Sequence, residues 1–461
     1  MDSSKLIFIF FSAILFGIVP VVIHNPRRYY LCLASFLNIF STGWIFYHYT
    51  GLMLSDLPVL CLLFLGAFSG RKFDWKAAPI GVLTLALIVW GIITSFGAME
   101  PGWALAEVSK HFRMYLVMVV IAQNIQNLSD LRLVIVSILS GLIIEAAIGF
   151  YQQYFGALGV WFLGERPAAR VDWRAMGTFY VAAFYANYIT VVVFVAYRMF
   201  VYYRPQKTLQ SVFYGAAFIL GIMALFKSFA RAAWIGFLVS LILTSLMSFF
   251  RSRYRSYSRY AIPVLVVFLS FFVFRYHQKI IDQFGEGRRK AYESRFTQFG
   301  IAERMIAVRP FTGVGLGNYQ LNSWDFLTDE EREDYLASVY TWMVHNSYLL
   351  YAAELGIIGA VVFVVWFFTI IWSSLRILRA KISHPLIVNV TIGILGGIVA
   401  FMILLFASPD IHDYSILYQL GLFSGILLAE WRIIKKAEWQ NFCSHKNGND
   451  HRGNKISYRN N

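Results

Sequence analysis

The chain has 461 residues, a formal net charge of +15, 58% hydrophobic residues and only 14% charged residues. A soluble globular protein carries roughly 25% charged residues, so a chain this apolar could not cover itself with polar surface. The composition therefore excludes a cytosolic enzyme, a disordered protein and a nucleic-acid binder, and we expect membrane lipids but no nucleic acid as partners. It predicts an all-α polytopic membrane protein. Three cysteines exclude a disulfide framework.

Apolar stretches of about 20 residues, long enough to cross a bilayer, recur along the chain. They lie near 6–23, 29–48, 51–69, 78–98, 112–126, 131–155, 178–200, 211–229, 232–250, 260–276, 345–373, 386–408 and 414–431. The first and fifth are the weakest, so the sequence predicts 12–13 transmembrane helices. With 13 spans, the short basic loops, from Arg27 and Arg28 to Arg432, all fall on one side. That side is then cytoplasmic, because Lys and Arg collect on cytoplasmic loops.

One outward loop, 277–344, is much longer than the others, and loops of this length are usually functional or disordered. Its first half is basic, with Lys279, Arg288, Arg289, Lys290, Arg295, Arg304 and Arg309. Its second half is acidic, with Asp325, Asp329, Glu330, Glu331, Glu333 and Asp334. Arginines on the outer side depart from the usual bias and favour an anionic partner. The alternative is a solvated loop whose two halves neutralise each other.

Three groups of residues at the outer boundary carry possible chemistry. Arg231 lies where two spans meet, with Lys227 close by, and two like charges so placed favour a shared anion over simple snorkelling. A glycine run, 313–317, follows Arg309 and predicts a tight turn near a helix end or a phosphate-bearing ligand. His345 and Asn346 open a later span, where a neutral imidazole can accept a proton from a sugar hydroxyl. The alternative for His345 is an ordinary interfacial polar residue.

Smaller polar groups also precede outer ends of spans. Glu107, Lys110, His111 and Arg113 precede the fifth span, and Asp410, His412 and Asp413 precede the last. The second group could bind a metal, but one short loop rarely completes a coordination shell, so we expect no metal.

The stretch from His345 to Gly359 reads His-Asn, nine residues, Gly, two residues, Gly. It resembles the signature of the O-antigen ligases and of the related O-antigen and exopolysaccharide polymerases. The resemblance covers roughly 165–365, where the following residues stand in the family's order: Arg231, Arg295, Pro310, Gly313, Gly315 and His345. Residues 174–179 resemble the family's Arg-x-x-Gly-Thr-Phe entry to a span. One departure is Phe299, which stands where the ligase pattern usually has Trp.

The resemblance implies a GT-C-like glycosyltransferase of the bacterial inner membrane with its active site facing the periplasm. Such enzymes transfer a glycan from undecaprenyl diphosphate to lipid A–core, to a growing glycan or to a protein hydroxyl. They are thought to invert the anomeric carbon without a metal or other cofactor. The chain then divides into N-terminal helices (1–164), a catalytic membrane region including the long periplasmic loop (165–431), and a disordered cytoplasmic tail (432–461).

The resemblance also implies roles for individual residues. Arg231 and Arg295 would bind the diphosphate, with Arg309 and Arg174 as weaker candidates, and His345 would activate the acceptor hydroxyl. Asn346, Gly313, Gly315 and Lys227 would support the site.

Three enzymes fit the resemblance: the ligase, which the His-Asn pattern favours slightly, the polymerase, and a protein O-oligosaccharyltransferase. They share donor and motif and differ in acceptor. The alternative of another class is a transporter of polyprenyl-linked glycans, which would favour internal repeats and broken helices near the bilayer midplane. The charged residues cluster instead at the outer boundary.

Overall fold

The computed structural model describes residues 25–39, 55–68, 78–155, 174–179, 181–203, 208–250, 289–334, 341–380 and 384–447, with isolated positions at 19, 266, 270, 273–274, 277–278 and 281. These parts of the chain form helices and turns and contain no strand. The predicted spans at 6–23 and 260–276 lie almost entirely outside the described residues.

The helices are numbered here in chain order. They are α1 (Pro26–Phe36), α2 (Asp56–Phe68), α3 (Ala78–Ser95), α4 (Pro101–Asn124), α5 (Leu128–Phe155), α6 (Ala182–Tyr203), α7 (Thr208–Lys227), α8 (Arg231–Phe250), α9 (Arg289–Val308), α10 (Tyr319–Asn322), α11 (Asp329–Glu333), α12 (Ser347–Arg379), α13 (Pro385–Leu404) and α14 (Tyr414–Asn447). Short 3₁₀ turns lie at Leu37–Ile39, Ser323–Phe326 and Asp410–His412.

Within the described residues, 6 helices are long and apolar enough to cross a membrane. They are α5, α6, α7 from Leu209, α12, α13, and α14 as far as Asn441. Shorter apolar helices lie in α2, α3 and α8. The prediction of an all-α polytopic membrane protein is confirmed. The weak span at 112–126 belongs to α4, which is a separate helix from α5.

Two long helix pairs form the centre of the bundle, α6 with α13 and α4 with α14. Glycines allow both pairs to approach closely. On α13, Gly397 lies against the backbone of Val191, and on α14, Gly421 lies against the carbonyl of Met114. Small residues are favoured at such contacts because dispersion between helices, rather than expulsion of water, drives their association in lipid.

Basic residues from the first and last of the predicted basic loops lie at one end of the bundle. Arg27 and Arg28 both pair with the buried Asp130 at the start of α5, at 2.9 and 2.8 Å. Arg432 on α14 donates to the carbonyl oxygen of Ile125, 2.6 Å away, at the end of α4.

The last helix corrects the prediction of a disordered tail from residue 432, because α14 is helical to Asn447. Contacts between charged and aromatic side chains, which a hydropathy average does not detect, hold the segment after residue 431 in place. The ring of Trp431 lies under Arg376 and Lys435, at 4.5 and 4.7 Å from their cationic groups, and Lys435 pairs with Glu438 at 2.8 Å. Residues 448–461 lie outside the described part of the chain.

The loop predicted at 277–344 is not irregular throughout, because it contains the 20-residue helix α9. Ile301 and Met305 of α9 pack with Val314 and Leu350 in a hydrophobic cluster of their own. Neutralisation between the two halves, the alternative to an anionic partner, occurs at Arg304, whose guanidinium lies 2.6 Å from the carboxylate of Glu331.

Helix α12 is broken at Gly356, whose φ of 69° is left-handed. The break frees backbone groups that a continuous helix would bond internally, and the segment 310–315 binds them. Three hydrogen bonds join the two: Val314 N to Ala353 O (2.9 Å), Gly315 N to Glu354 O (2.8 Å) and Ile357 N to Pro310 O (2.8 Å). The glycine run and the His-Asn-x₉-Gly stretch are thus two halves of one backbone junction.

Replacing Gly356 by alanine should destabilise the protein strongly. A Cβ there would overlap the carbonyl of Phe311, and the left-handed φ is itself costly for alanine. We expect a loss of about 2–5 kcal/mol, seen as a lower Tm in detergent. The matched control is Gly102→Ala, in the first turn of α4, where an added Cβ meets nothing within 4 Å. An equal Tm for both variants would contradict the proposed role of the break.

Candidate functional site

A cavity of about 660 Å³ lies at the end of the bundle opposite the Arg27–Asp130 pair. Its walls come from the start of α6, the α7–α8 junction, α9, the segment before α12 and the end of α13. Four residues singled out by the sequence line it together: Arg174, Arg231, Arg295 and His345. These residues are far apart in the chain, so the fold brings three guanidinium groups and one imidazole to a single cavity.

Two of the arginines are positioned by the same turn. Arg231 is the first residue of α8, directly after the turn 228–230 that ends α7. Arg174 Nε donates to the carbonyl oxygen of Ser228 in that turn, at 2.7 Å, and Ala175 N donates to Lys227 O at 2.8 Å. The segment before α6 and the α7–α8 turn therefore hold Arg174 and Arg231 in one wall of the cavity.

The turn itself contains the one non-glycine residue with a positive φ among the described residues. Phe229 has φ 51°, is buried, and lines the cavity. Residues in this conformation cost of order 1–3 kcal/mol and tend to cluster at functional sites, where the surrounding structure enforces them. The strained residue Phe229 therefore lies in the same turn that positions Arg174 and Arg231.

His345 lies directly before the N-cap of α12. Its Nδ1 is 2.8 Å from Oε1 of Gln298 on α9. Burial, with a smaller contribution from the positive charge of Arg295, lowers the pKa of His345 to about 4. The imidazole is therefore neutral near pH 7, which is the form that can accept a proton.

Asn346 has a structural role next to this histidine. Its side-chain oxygen accepts hydrogen bonds from Tyr348 N at 3.0 Å and Leu349 N at 3.1 Å, which caps α12. Ser347 N also donates to Leu405 O at 2.8 Å, which ties the start of α12 to the end of α13. The backbone that carries His345 is thereby fixed to two helices.

Asp410 lines the same cavity and was not assigned to this site from the sequence. It is buried, Asn187 Nδ2 donates to its carboxylate, and burial raises its pKa to about 7. Its sequence neighbours suggested a metal, but the fold separates them. Asp413 accepts from Ser415 N (2.9 Å) and caps α14, while His412 turns towards α4 and α12. Among the described residues, no group of three or more His, Cys, Asp or Glu side chains is arranged for a metal.

The other predicted residues lie outside the described lining of the cavity. Arg309 is exposed and donates to Gly97 O at 2.8 Å. Lys227 ends α7 on a different helix from Arg231, and its ammonium group lies 5.8 Å from the ring centre of Tyr154. Gly313 and Gly315 are buried at the α12 break and so support the site from behind.

A buried chain of charges lies behind the cavity. His412 Nδ1 lies 3.0 Å from Glu107 Oε2, and His412 Nε2 lies 2.9 Å from Glu354 Oε2. Glu107 also pairs with Lys110, which donates to His412 O at 3.1 Å. Glu354 accepts from Tyr319 N at 3.3 Å. One imidazolium thus joins α4, α12 and the segment after α13.

The His412 bridge should make stability depend on pH. Burial alone would lower the pKa of His412, but the two carboxylates raise it to about 10, above the roughly 6.5 of an unfolded histidine. The bridge then contributes fully below about pH 6.5, and its contribution is lost as the pH rises towards about 10. We expect the Tm in detergent to fall between pH 6.5 and 9.5, and His412→Gln to have a lower Tm with a flatter dependence. Parallel curves for the two proteins would contradict the bridge.

Comparison with known proteins bears on this region. Residues 216–364 match the family model described as O-antigen ligase, and this match spans about a third of the chain. It includes Arg231, Arg295 and His345. No curated protein matches the chain. The predicted resemblance to O-antigen ligases is confirmed over this region. The match supports an O-antigen ligase-like, glycosyltransferase-type function in polysaccharide biosynthesis.

Proposed function

We propose that this protein transfers a glycan from undecaprenyl diphosphate to a hydroxyl group of lipid A–core at the periplasmic face of the bacterial inner membrane. The observation that carries the proposal is the single cavity lined by Arg174, Arg231, Arg295 and His345. The cavity lies at the end of the bundle opposite Arg27, Arg28 and Arg432, which matches an outward-facing site under the positive-inside rule.

The arginines suit a diphosphate leaving group. Guanidinium groups bind phosphate oxygens through paired N–H donors, and their charge is not lost at any physiological pH. As the glycosyl–oxygen bond breaks, negative charge grows on the diphosphate. Contacts from Arg231 and Arg295 then strengthen in the transition state, which lowers the barrier. Because guanidinium charge supplies this neutralisation, no metal is needed.

His345 suits the role of general base. In the proposed step, the acceptor oxygen attacks the anomeric carbon, its proton passes to His345 Nε2, and the bonding electrons leave with undecaprenyl diphosphate. Attack on the face opposite the leaving group inverts the anomeric carbon.

Substrate binding would also strengthen this base. The positive charge of Arg295 contributes to the low pKa of His345. A bound diphosphate beside Arg295 offsets that charge, so the pKa of the imidazole rises towards its usual range when the donor is in place. The histidine is then a better base in the loaded enzyme than in the free one.

The apolar part of the lining suits the polyprenyl chain. Val181, Phe184 and Ile235 line the cavity, and Ile235 is exposed on the surface of the bundle. This wall offers a lipid-side path for the polyprenyl chain while the diphosphate remains with the arginines.

Arginine-to-lysine changes test the diphosphate assignment. Arg231→Lys and Arg295→Lys keep the charge but lose the paired donors, so we expect transfer to fall by about tenfold or more in an assay with purified enzyme and lipid-linked donor. Arg309→Lys, outside the described lining, should retain wild-type turnover. If Arg309→Lys lost most of its turnover while Arg295→Lys kept wild-type turnover, the diphosphate would bind at Arg309 and not at Arg295.

Removing the imidazole tests the base. His345→Ala should lower turnover by about 10²–10⁴-fold, the usual range for general-base catalysis, without lowering the Tm of the purified protein by more than a few degrees. Turnover that survives in a folded His345→Ala protein would exclude this histidine as the base. Treatment with EDTA should leave wild-type turnover unchanged, and a loss restored by a divalent cation would contradict the metal-free mechanism.

The acceptor is tested by the lipid-linked glycans of a strain lacking this gene. Long polymers accumulating on undecaprenyl diphosphate, without mature conjugate on lipid A–core, are the expected result. Accumulation of single repeat units would indicate that the enzyme is a polymerase and not a ligase. Loss of glycans from proteins would indicate a protein O-oligosaccharyltransferase. An unchanged pool of lipid-linked glycans would contradict the assignment of a glycan-transferring enzyme and would favour a transporter.

A further inference from the structure

We propose that Gln298 is a positioning residue that fixes the tautomer and orientation of His345, so that Nε2 faces the acceptor hydroxyl as a proton acceptor. This inference rests on the proposed role of His345 as base and adds a residue to which neither the sequence motif nor the family match assigns a role.

The contact defines which nitrogen carries hydrogen. Gln298 Oε1 lies 2.8 Å from His345 Nδ1, and an amide oxygen can only accept a hydrogen bond. Nδ1 therefore donates, and in a neutral imidazole the lone pair is then on Nε2. Within the described part of the chain, Nε2 has no protein hydrogen-bond partner, and His345 lines the cavity. The amide thus holds the ring with its basic nitrogen available to a substrate.

Gln298 is itself held firmly. Its side chain is only 1% exposed, and its backbone carbonyl accepts from the hydroxyl of the buried Tyr319, at 3.1 Å. Tyr319 N donates to Glu354, which belongs to the charge chain through His412. The next turn of α9 is anchored by Ile301 and Met305 in the outer hydrophobic cluster. A partner fixed in this way constrains the imidazole ring more than a solvent molecule could.

Helix α9 also sets the distance between the side chain that binds the diphosphate and the side chain that orients the base. Arg295 and Gln298 are three residues apart, so they lie on one face of α9 within about one helical turn of 5.4 Å. One side chain is placed to bind the diphosphate and the other to orient the base. One turn of α9 therefore sets the spacing between the leaving group and the proton acceptor.

An amide is the suitable partner in this electrostatic setting. Three guanidinium groups, of Arg174, Arg231 and Arg295, share the cavity with His345, and Asp410 is the acidic side chain among its described lining residues. A carboxylate in place of Gln298 would stabilise the imidazolium and hold the base protonated. The neutral amide orients the ring without stabilising the imidazolium, so the charge state of His345 responds to the bound substrate.

The decisive experiment uses Gln298→Glu in the full-length protein. The carboxylate still accepts from Nδ1 but favours the imidazolium, so the acid limb of the kcat/KM–pH profile should move up by about one to three pH units. The matched control is Ala307→Glu, which adds the same charge at an exposed position of α9 and should leave the profile unchanged. A Gln298→Glu profile that coincides with that of wild type would overturn the proposal.

Gln298→Leu provides the second variant, since it removes the acceptor and keeps the size. We expect kcat to fall by about tenfold or more with little change in KM for the lipid-linked donor. In ¹⁵N NMR spectra of histidine-labelled protein, the His345 resonance, assigned by its absence in His345→Ala, should change from the Nδ1–H to the Nε2–H form. An unchanged tautomer or unchanged kcat in folded Gln298→Leu protein would contradict the positioning role.

The two proposals fail in different ways. If His345→Ala remains active, the base assignment fails together with this inference. If His345→Ala is inactive while Gln298→Leu and Gln298→Glu behave as wild type, the base stands and only the role of Gln298 is wrong.

Discussion

The backbone junction between segment 310–315 and the break at Gly356 is the constraint on which the site depends. It joins the outer segment to a transmembrane helix through main-chain hydrogen bonds, so its geometry does not rely on flexible side chains. The break occurs ten residues after the N-cap of α12, and His345 directly precedes that cap. On the other side of the junction, segment 310–315 follows the end of α9, which carries Arg295 and Gln298. The two faces of the cavity therefore meet through this contact.

The buried charges reinforce the same junction from behind. Glu354, whose carbonyl is bound by Gly315, directs its side chain to His412 and Tyr319. An ion pair in an apolar setting adds little net stability, but removing one partner leaves an uncompensated charge at high cost. Such a network penalises alternative packings of α4, α12 and the turn after α13. Its contribution is best understood as holding one arrangement of the helices, with the cavity as the result.

The sequence was informative where a membrane leaves few physical solutions. Long apolar runs become helices. Arg231 was singled out because an arginine at membrane depth is costly, and His345 because it opens a span next to an arginine-rich loop. Gln298 could not be found in this way, because its partner is 47 residues away and glutamine in a polar loop is unremarkable in composition. Helix α9 was missed because tertiary packing, rather than a strong apolar stripe, stabilises it. Asp410 was considered only as a possible metal ligand with His412 and Asp413, and its place in the cavity was not predicted, since only the fold separates the three.

The pairing of α4 with α14 bears on the order in which the protein is made. Helix α4 enters the membrane early in translation, carrying Glu107 and Lys110, whereas His412 and α14 are synthesised last. Until then, Lys110 is the one ion-pair partner of Glu107 among the described residues, and Glu354 lacks its imidazolium. Glu107 is therefore without His412 through most of the chain's synthesis, and Glu354 is without it for the 58 residues that separate the two positions. Arrival of the final hairpin supplies the missing cation, so completion of the chain is also the step at which the outer end becomes locked.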